Sequence, residues 1–359
     1  LKEINFVKLT EAAYLIDNAD DLFPGVSELL RTCGFFDDFE LCALPGGENN
    51  RVFRIDVAGQ HVLLKSYFRH PDDPRDRLGA EFKFLSFAWN HGLRCLAKPL
   101  GYDEEHALGI YEYLEGVPLR PGHIGEDEIK QAAEFIRLLN EHKYSENAGG
   151  LANASEACFS LDEHKITVEA RVKRLESIDC AKLNGPDLPD FIRSELRPAW
   201  DRIKWEFEKE SERRGIAMNE IIGVEERCIS PSDFGFHNAI KGADRRLRFF
   251  DFEYAGWDDP AKLVCDFFCQ PKVPAPPEYY ESFVSQALVG MAELDMIVTR
   301  AKLLQPLYCL KWCCISLNEF LPEGKSRRQF SCAETLSSGL GWHKILVQAR
   351  RLLQKAFLT

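Results

Sequence analysis

The segment 229–260, ISPSDFGFHNAIKGADRRLRFFDFEYAGWDDP, sets one amide and two carboxylates at fixed spacing: Asp233, Asn238 five residues later, and Asp251 thirteen beyond that. Two short apolar runs, 238–241 and 246–250, flank a Gly242-Ala243-Asp244 turn signal and predict a small hairpin. Closing that hairpin brings Asn238 and Asp251 side by side. An amide oxygen next to a carboxylate suits a hard cation such as Mg²⁺, which takes few protein oxygens and fills its shell with water and phosphate. Asp233 points toward the same place without being needed as a ligand, so it is free to position a hydroxyl group and accept its proton. Asp and Asn favour turns and caps anywhere in a protein, so the combined spacing carries the reading, not any one residue. A loop Asp acting as base, with an Asn and a second Asp on the metal, is the division of labour of phosphoryl transfer in kinases.

At these residues the chain resembles the aminoglycoside phosphotransferase and choline kinase superfamily, small-molecule kinases with a protein-kinase-like fold. Their catalytic loop reads H-G-D-x-x-x-x-N and is followed by an apolar run into I-D-W-E-x-x-x-x-G-D-P. The matching residues are Pro231, Ser232, Asp233, Asn238, Asp251, Phe252, Glu253, Asp259 and Pro260. The chain departs from the pattern at Pro231 and Ser232, which replace His and Gly, and at Leu263, where the family has a further Asp; Asp266 lies three residues on. The resemblance covers about residues 41 to 345. It implies a two-lobe α+β fold, with a small N-terminal β-sheet lobe and a larger, mainly helical C-terminal lobe. It also implies ATP and Mg²⁺ as cofactors and a small hydroxyl-bearing acceptor: a sugar, amino sugar, aminoglycoside or amino alcohol. Asp233 is then the catalytic residue and Asn238 and Asp251 the metal ligands. Glu253 is a candidate for a second metal or a cationic acceptor, and equally a cap for the loop that follows.

Other segments must bring a nucleotide to this hairpin. The expected organisation is a helical N-terminal extension over 1–40, a nucleotide-binding lobe over 41–114, and a catalytic and acceptor-binding lobe over 115–359. In the second segment the alternation through 52–57, the turn at Gly59 and the run 61–67 predict two strands. Pro45-Gly46-Gly47-Glu48-Asn49-Asn50 precedes them, and the resemblance makes Gly46, Gly47, Glu48, Asn49 and Asn50 the loop over the nucleotide phosphates, where glycine lets backbone amides approach oxygen. Lys65 stands among Val62, Leu63, Leu64 and Tyr67, a poor setting for an unpaired ammonium. The resemblance makes it the phosphate-binding lysine, oriented by Glu81 from a helix whose apolar face is Leu78, Phe82, Leu85 and Trp89 and whose stop is Gly92. Strands over 98–103 and 107–113 lead to a hinge, where Glu112 and Leu114 are the candidates for main-chain contacts to adenine. Helices follow from Glu126 to His142, over 162–178, over 189–214 with an interruption at Pro198, and through most of the chain beyond Pro260. Trp200, Trp205 and Phe207 are read as lobe packing rather than sugar stacking.

Composition sets outer bounds. With 359 residues, 45% hydrophobic and 28% charged, the chain has ample material for a core. A net charge of −12 disfavours a nucleic-acid surface and permits a neutral or cationic substrate. No apolar run approaches the ~20 residues of a membrane span, and the first residues lack a secretion signal, so no membrane partner and a cytoplasmic location are expected. The 12 cysteines are scattered and form no C-x-x-C pair, which reads as buried thiols rather than a disulfide framework or zinc site. Two rival readings are an atypical protein kinase, against which the absence of D-F-G and A-P-E patterns counts, and a nucleotide-binding regulatory protein without transfer activity, which only Pro231 and Ser232 encourage. Oligomeric state is not written in the sequence.

Overall fold

The computed structural model describes residues 23–44, 50–71, 73–178, 187–321, 330 and 339–358. They fall into two compact units, one drawn from Leu1–Pro74, Lys98–Tyr113 and Ser326–Glu334, the other from Arg75–Ala97, Leu114–Lys325 and Thr335–Thr359. The α+β class expected from the sequence is found. Residues Arg75–Ala97, which the sequence reading runs into the strand-rich segment, cluster with the helical unit.

The first unit is an antiparallel sheet with one helix on it. Its elements are α1 (Val26–Thr32), β1 (Phe39–Ala43), β2 (Arg51–Val57), β3 (Gln60–Ser66), β4 (Pro99–Asp103) and β5 (Leu108–Glu112), in the sheet order β1-β2-β3-β5-β4. The β2–β3 turn needs two left-handed residues, which Ala58 (φ 52°) and Gly59 (φ 73°) supply. Alternation along β2 and β3 sends Phe53, Ile55, Val57, Val62 and Leu64 to one face, where they pack with Val26, Leu29 and Leu30 of α1. Lys65, between Leu64 and Ser66, lies on the opposite face from Leu64. Strand β1 is an addition to the expected pair: it pairs Phe39–Ala43 with Val57–Phe53 and starts inside the segment expected to be a helical extension. Of that extension the structure describes Phe23 onward, and residues 1–22 lie outside the described residues.

The second unit begins with α2 (Arg77–Asn90), capped by Asp76 and ended at Gly92 (φ 85°). Its buried face is Arg77, Leu78, Glu81, Phe84, Leu85, Phe87 and Ala88; Phe82 and Trp89, expected there, are only half-buried, because the stripe is set by Phe84, whose ring packs at a tilt on Phe252 with centroids 4.7 Å apart. Next come β6 (Val117–Pro118), α3 (Glu126–Glu141), α4 (Leu161–Glu176), α5 (Asp187–Phe191), a π-helical turn (Ile192–Leu196) and α6 (Arg197–Arg214). Pro198 sits in the first turn of α6, where its missing N–H costs nothing. Trp200 and Phe207 are buried as expected, whereas Trp205 is 55% exposed with Lys209 over its ring. Two small sheets carry the hairpin region: β7 (Cys228–Ser230) with β10 (Gly256–Asp258), and β6 with β8 (Ala239–Lys241) and β9 (Leu247–Phe249). The unit closes with α7 (Pro260–Cys269), α8 (Tyr280–Ala287), α9 (Leu294–Ser316) and α10 (Gly339–Lys355). No helix among the described residues is long and apolar enough to cross a membrane. The described cysteines are unbonded and mostly buried.

Behind the hairpin lies a group of buried charges. Lys262 Nζ reaches Asp258 at 2.5 Å and Asp266 at 3.4 Å; Lys311 Nζ reaches both oxygens of Asp266, at 2.8 and 3.1 Å; Trp312 Nε1 donates to the same carboxylate at 3.0 Å. Asp259 caps α7 through the Ala261 N–H at 2.8 Å and also meets Arg300 at 3.2 Å and His164 at 3.3 Å, while His164 Nδ1 lies 2.7 Å from the Tyr308 hydroxyl. Burial alone would lower the pKa of His164; the hydrogen bond and charge of Asp259, with Cys158 alongside, outweigh it and raise it to about 9. A raised histidine pKa stabilises fully below the unfolded value near 6.5 and stops doing so as pH rises through the folded value. Urea unfolding should therefore show wild-type stability falling between pH 6.5 and about 9 by on the order of 3 kcal/mol more than in His164→Gln. Parallel pH profiles for the two proteins would refute the assignment.

Candidate active site

The predicted hairpin forms. β8 and β9 pair Ala239 with Phe249 and Lys241 with Leu247, and the turn closes with Gly242 N–H to Arg246 at 2.9 Å and Arg245 in the left-handed region at φ 64°. The ladder continues one step toward the site, because Phe250 N–H donates to the Asn238 carbonyl at 3.0 Å. Asn238 and the residue just before Asp251 are thus locked across from each other. The Asn238 Nδ2 donates to the Asp233 carbonyl at 3.0 Å, which uses the amide nitrogen on the protein and not the Oδ1 lone pairs.

Phenylalanines anchor the polar residues. Phe234, Phe249 and Phe252 are each at most 3% exposed, and Phe135 of α3 stacks on Phe249 at 4.9 Å. In the sequence Asp233-Phe234 and Asp251-Phe252, the aromatic residue goes into the core and its acidic neighbour stays partly open. Asn140 of α3 fixes β7 by accepting from Ile229 N–H at 2.8 Å and donating to its carbonyl at 3.0 Å. Two non-glycine residues of the site hold positive φ, Ser232 at 65° and Asp251 at 68°. Such angles cost on the order of 1 kcal/mol or more and persist only where the surroundings impose them. At Ser232, the imposing contacts include its N–H to Ser230 Oγ at 3.0 Å and its carbonyl to Phe234 N–H at 2.8 Å.

The Asp233 side chain keeps 32% exposure, and its Oδ1 lies 3.2 Å from His237 Nε2. Partial burial raises its pKa, but the hydrogen bond and charge of His237, with Lys272 and Lys311 contributing, outweigh it and hold the carboxyl below its ordinary value. His237 is a site residue that motif reading missed. Its signal was present as a histidine four residues after Asp233, which the 3₁₀ turn Phe236–Asn238 folds back. Asp266, the acid displaced from the family position, is 3% exposed and bonded to Lys311 and Trp312. The ring of that tryptophan meets His237 edge to face at 6.5 Å.

The remaining expected residues are placed as follows. Glu253 is 1% exposed and lies 3.6 Å from Arg77 Nε of α2, at the exit of the hairpin. Glu81, 4% exposed, accepts the Phe252 N–H at 3.2 Å, directly after Asp251. In the first unit Lys65 is 5% exposed with its ammonium 5.0 Å above the Tyr67 ring, and strand partners Val52 and Gly109 flank it. Asn50 is 3% exposed and accepts the Phe68 N–H at 3.1 Å, tying the start of β2 to the end of β3. Gly46, Gly47, Glu48 and Asn49 lie outside the described residues. Glu112 is bonded to Lys98 by both its N–H, at 2.8 Å, and its side chain, at 3.1 Å. Leu114 begins the second unit's share of the chain after that strand.

Among the described residues no three His, Cys, Asp or Glu side chains gather as a self-contained metal site. The donors at the hairpin mouth are hard oxygens, the Asn238 Oδ1 and the Asp251 carboxylate. That set fits a cation such as Mg²⁺ that draws the rest of its shell from phosphate and water.

The fold is similar to that of known structures. A spectinomycin phosphotransferase solved with ADP and spectinomycin matches with a TM-score of 0.62 at 12% identity, covering 93% of this chain and 97% of that one. Choline kinase LicA of Streptococcus pneumoniae matches at 0.54 and 14% identity over 92% of this chain and 99% of its own. Ethanolamine kinase of Plasmodium vivax matches at 0.53 and 16% identity over 82% and 81%. At these identities the likeness shows the protein-kinase-like fold. A search of curated proteins finds no match. The sequence model described as the phosphotransferase enzyme family matches residues 40–295, more than half of the chain, and the chain belongs to that family.

Proposed function

We propose that the protein transfers the γ-phosphoryl group of ATP, with Mg²⁺, to a hydroxyl group of a small polar molecule. The observation that carries this reading is the linkage of Asp233 to Asn238 through the 3.0 Å bond from Nδ2 to the Asp233 carbonyl, at the mouth of the hairpin that ends in Asp251. Asp233, ionised because His237 and nearby lysines favour its anion, aligns the acceptor hydroxyl and takes its proton as the oxygen attacks. A carboxylate with a depressed pKa is a weak base, so its contribution is chiefly orientation and late proton acceptance, as suits a loose transition state. Asn238 Oδ1 and the Asp251 carboxylate would hold Mg²⁺, which when bound neutralises charge on the phosphates. Lys65, buried against Tyr67, is the proposed phosphate contact. ADP in the matching spectinomycin phosphotransferase supports an adenine nucleotide as donor. The acceptor's class follows from the family rather than from pocket residues, because one phosphate machinery serves many acceptors.

Incubation with γ-labelled ATP, Mg²⁺ and a cell extract split into small-molecule and protein fractions tests the reading, with Asp233→Ala as control. Label should enter a small molecule and be absent with the variant. Label on proteins instead would favour an atypical protein kinase, and transfer to neither fraction, with ATP still bound, a regulatory nucleotide binder. Asp251→Asn keeps the size of the side chain and removes its charge, so turnover should fall by roughly three orders of magnitude or more while the thermal midpoint stays within a few degrees. Near-normal turnover in that variant would remove Asp251 from the metal site.

A further inference from the structure

We propose that His237 is a positioning residue for Asp233: it fixes one carboxylate oxygen so that the other is presented to the acceptor hydroxyl. The proposal rests on the reading of Asp233 given above and deepens it. The imidazole is 7% exposed and the carboxylate 32%, so the ring stands behind the acid, away from solvent. Its Nε2 donates to Oδ1 at 3.2 Å, and among the described residues Oδ2 has no hydrogen-bond partner. One oxygen is therefore committed to the protein and one is left for substrate.

The same turn holds the residue from both ends. His237 takes the side chain and the next residue, Asn238, takes the main-chain carbonyl, so the base and the proposed metal ligand are fixed relative to each other by consecutive residues. The ring's seat is made to measure. A Cβ on Gly235 would lie 2.8 Å from His237 Nδ1 and 3.1 Å from Gln270 Cγ, so any side chain there would push the ring off its place. The backbone at Gly235 is extended, at φ 171°, so glycine is required by the close approach and not by its conformation. On another side the ring meets Trp312, itself tied to Asp266, which Lys311 and Lys262 hold. A ring confined in this way restricts the carboxylate to one rotamer, and orientation of this kind is worth up to roughly 100-fold in rate when it is lost.

The test uses the full chain with water as the acceptor: Mg²⁺-dependent release of inorganic phosphate from ATP, measured for wild type, Asp233→Ala, His237→Ala and His237→Gln, with KM for ATP and the thermal midpoint of each. His237→Ala should lose roughly 30- to 100-fold in kcat with KM within about twofold, and His237→Gln, whose amide N–H can reach the same oxygen, should recover at least about tenfold of that loss. Wild-type kcat in His237→Ala, alongside a severe loss in Asp233→Ala, would overturn the proposal and leave the reading of Asp233 intact. Equal losses in the alanine and glutamine variants would also overturn it, since the hydrogen bond would then not be the cause. Hydrolysis in Asp233→Ala equal to wild type would overturn the reading of Asp233 and this proposal with it.

Discussion

The segment that follows the β8–β9 hairpin carries Asp258, Asp259, Lys262 and Asp266 into an interior where each is at most 3% exposed. Bare charges there would cost several kcal/mol each, and removing one partner of a buried pair typically costs 3–5 kcal/mol, so the segment can fold only in the arrangement that matches each charge. The partners come from far along the chain: His164 from α4, and Arg300, Lys311 and Trp312 from α9. The cluster thereby specifies where β10 and α7 begin, and β10 pairs with β7, the strand that leads into Asp233. Entry to and exit from the hairpin are set by the same group of charges.

On that frame the site itself is short and tense. Ser232 and Asp251 both hold left-handed backbone, one residue before the proposed base and at the proposed metal ligand. Buried phenylalanines on either side supply the packing that keeps them there. Asp233, His237 and Asn238 then form a single turn in which side chain and main chain are both bonded. Position, more than unusual acidity or basicity, is what this turn provides, and position is what phosphoryl transfer chiefly asks of a protein.

Much of this was legible in the sequence. The hairpin followed from a turn signal between two apolar runs, and the spacing of Asp233, Asn238 and Asp251 then identified its mouth; both are local features. The strands around Lys65 and the stop at Gly92 were legible for the same reason. What escaped depends on partners distant in sequence. Glu253 reads equally as a metal or acceptor contact and as a loop cap, and its neighbour Arg77, more than 170 residues earlier, is not visible from the local sequence. The face of α2 is rotated from Phe82 and Trp89 to Phe84 and Phe87 by the aromatic core it meets. β1 is too short for alternation to announce it and is a strand because β2 offers it an edge. Asp266 looked like a displaced family residue; its role becomes visible only with Lys311 and Trp312 beside it.

The central claim is that Asn238 and Asp251 hold a divalent cation together with a nucleotide. Mn²⁺ in place of Mg²⁺ makes this directly observable, since electron paramagnetic resonance counts the free ion as protein and ADP are titrated. Wild type should bind Mn²⁺ markedly more tightly with ADP present than ADP or protein does alone, and Asn238→Ala and Asp251→Asn should each abolish that gain while ADP alone still binds. A gain that survives intact in both variants would place the cation elsewhere and contradict the account.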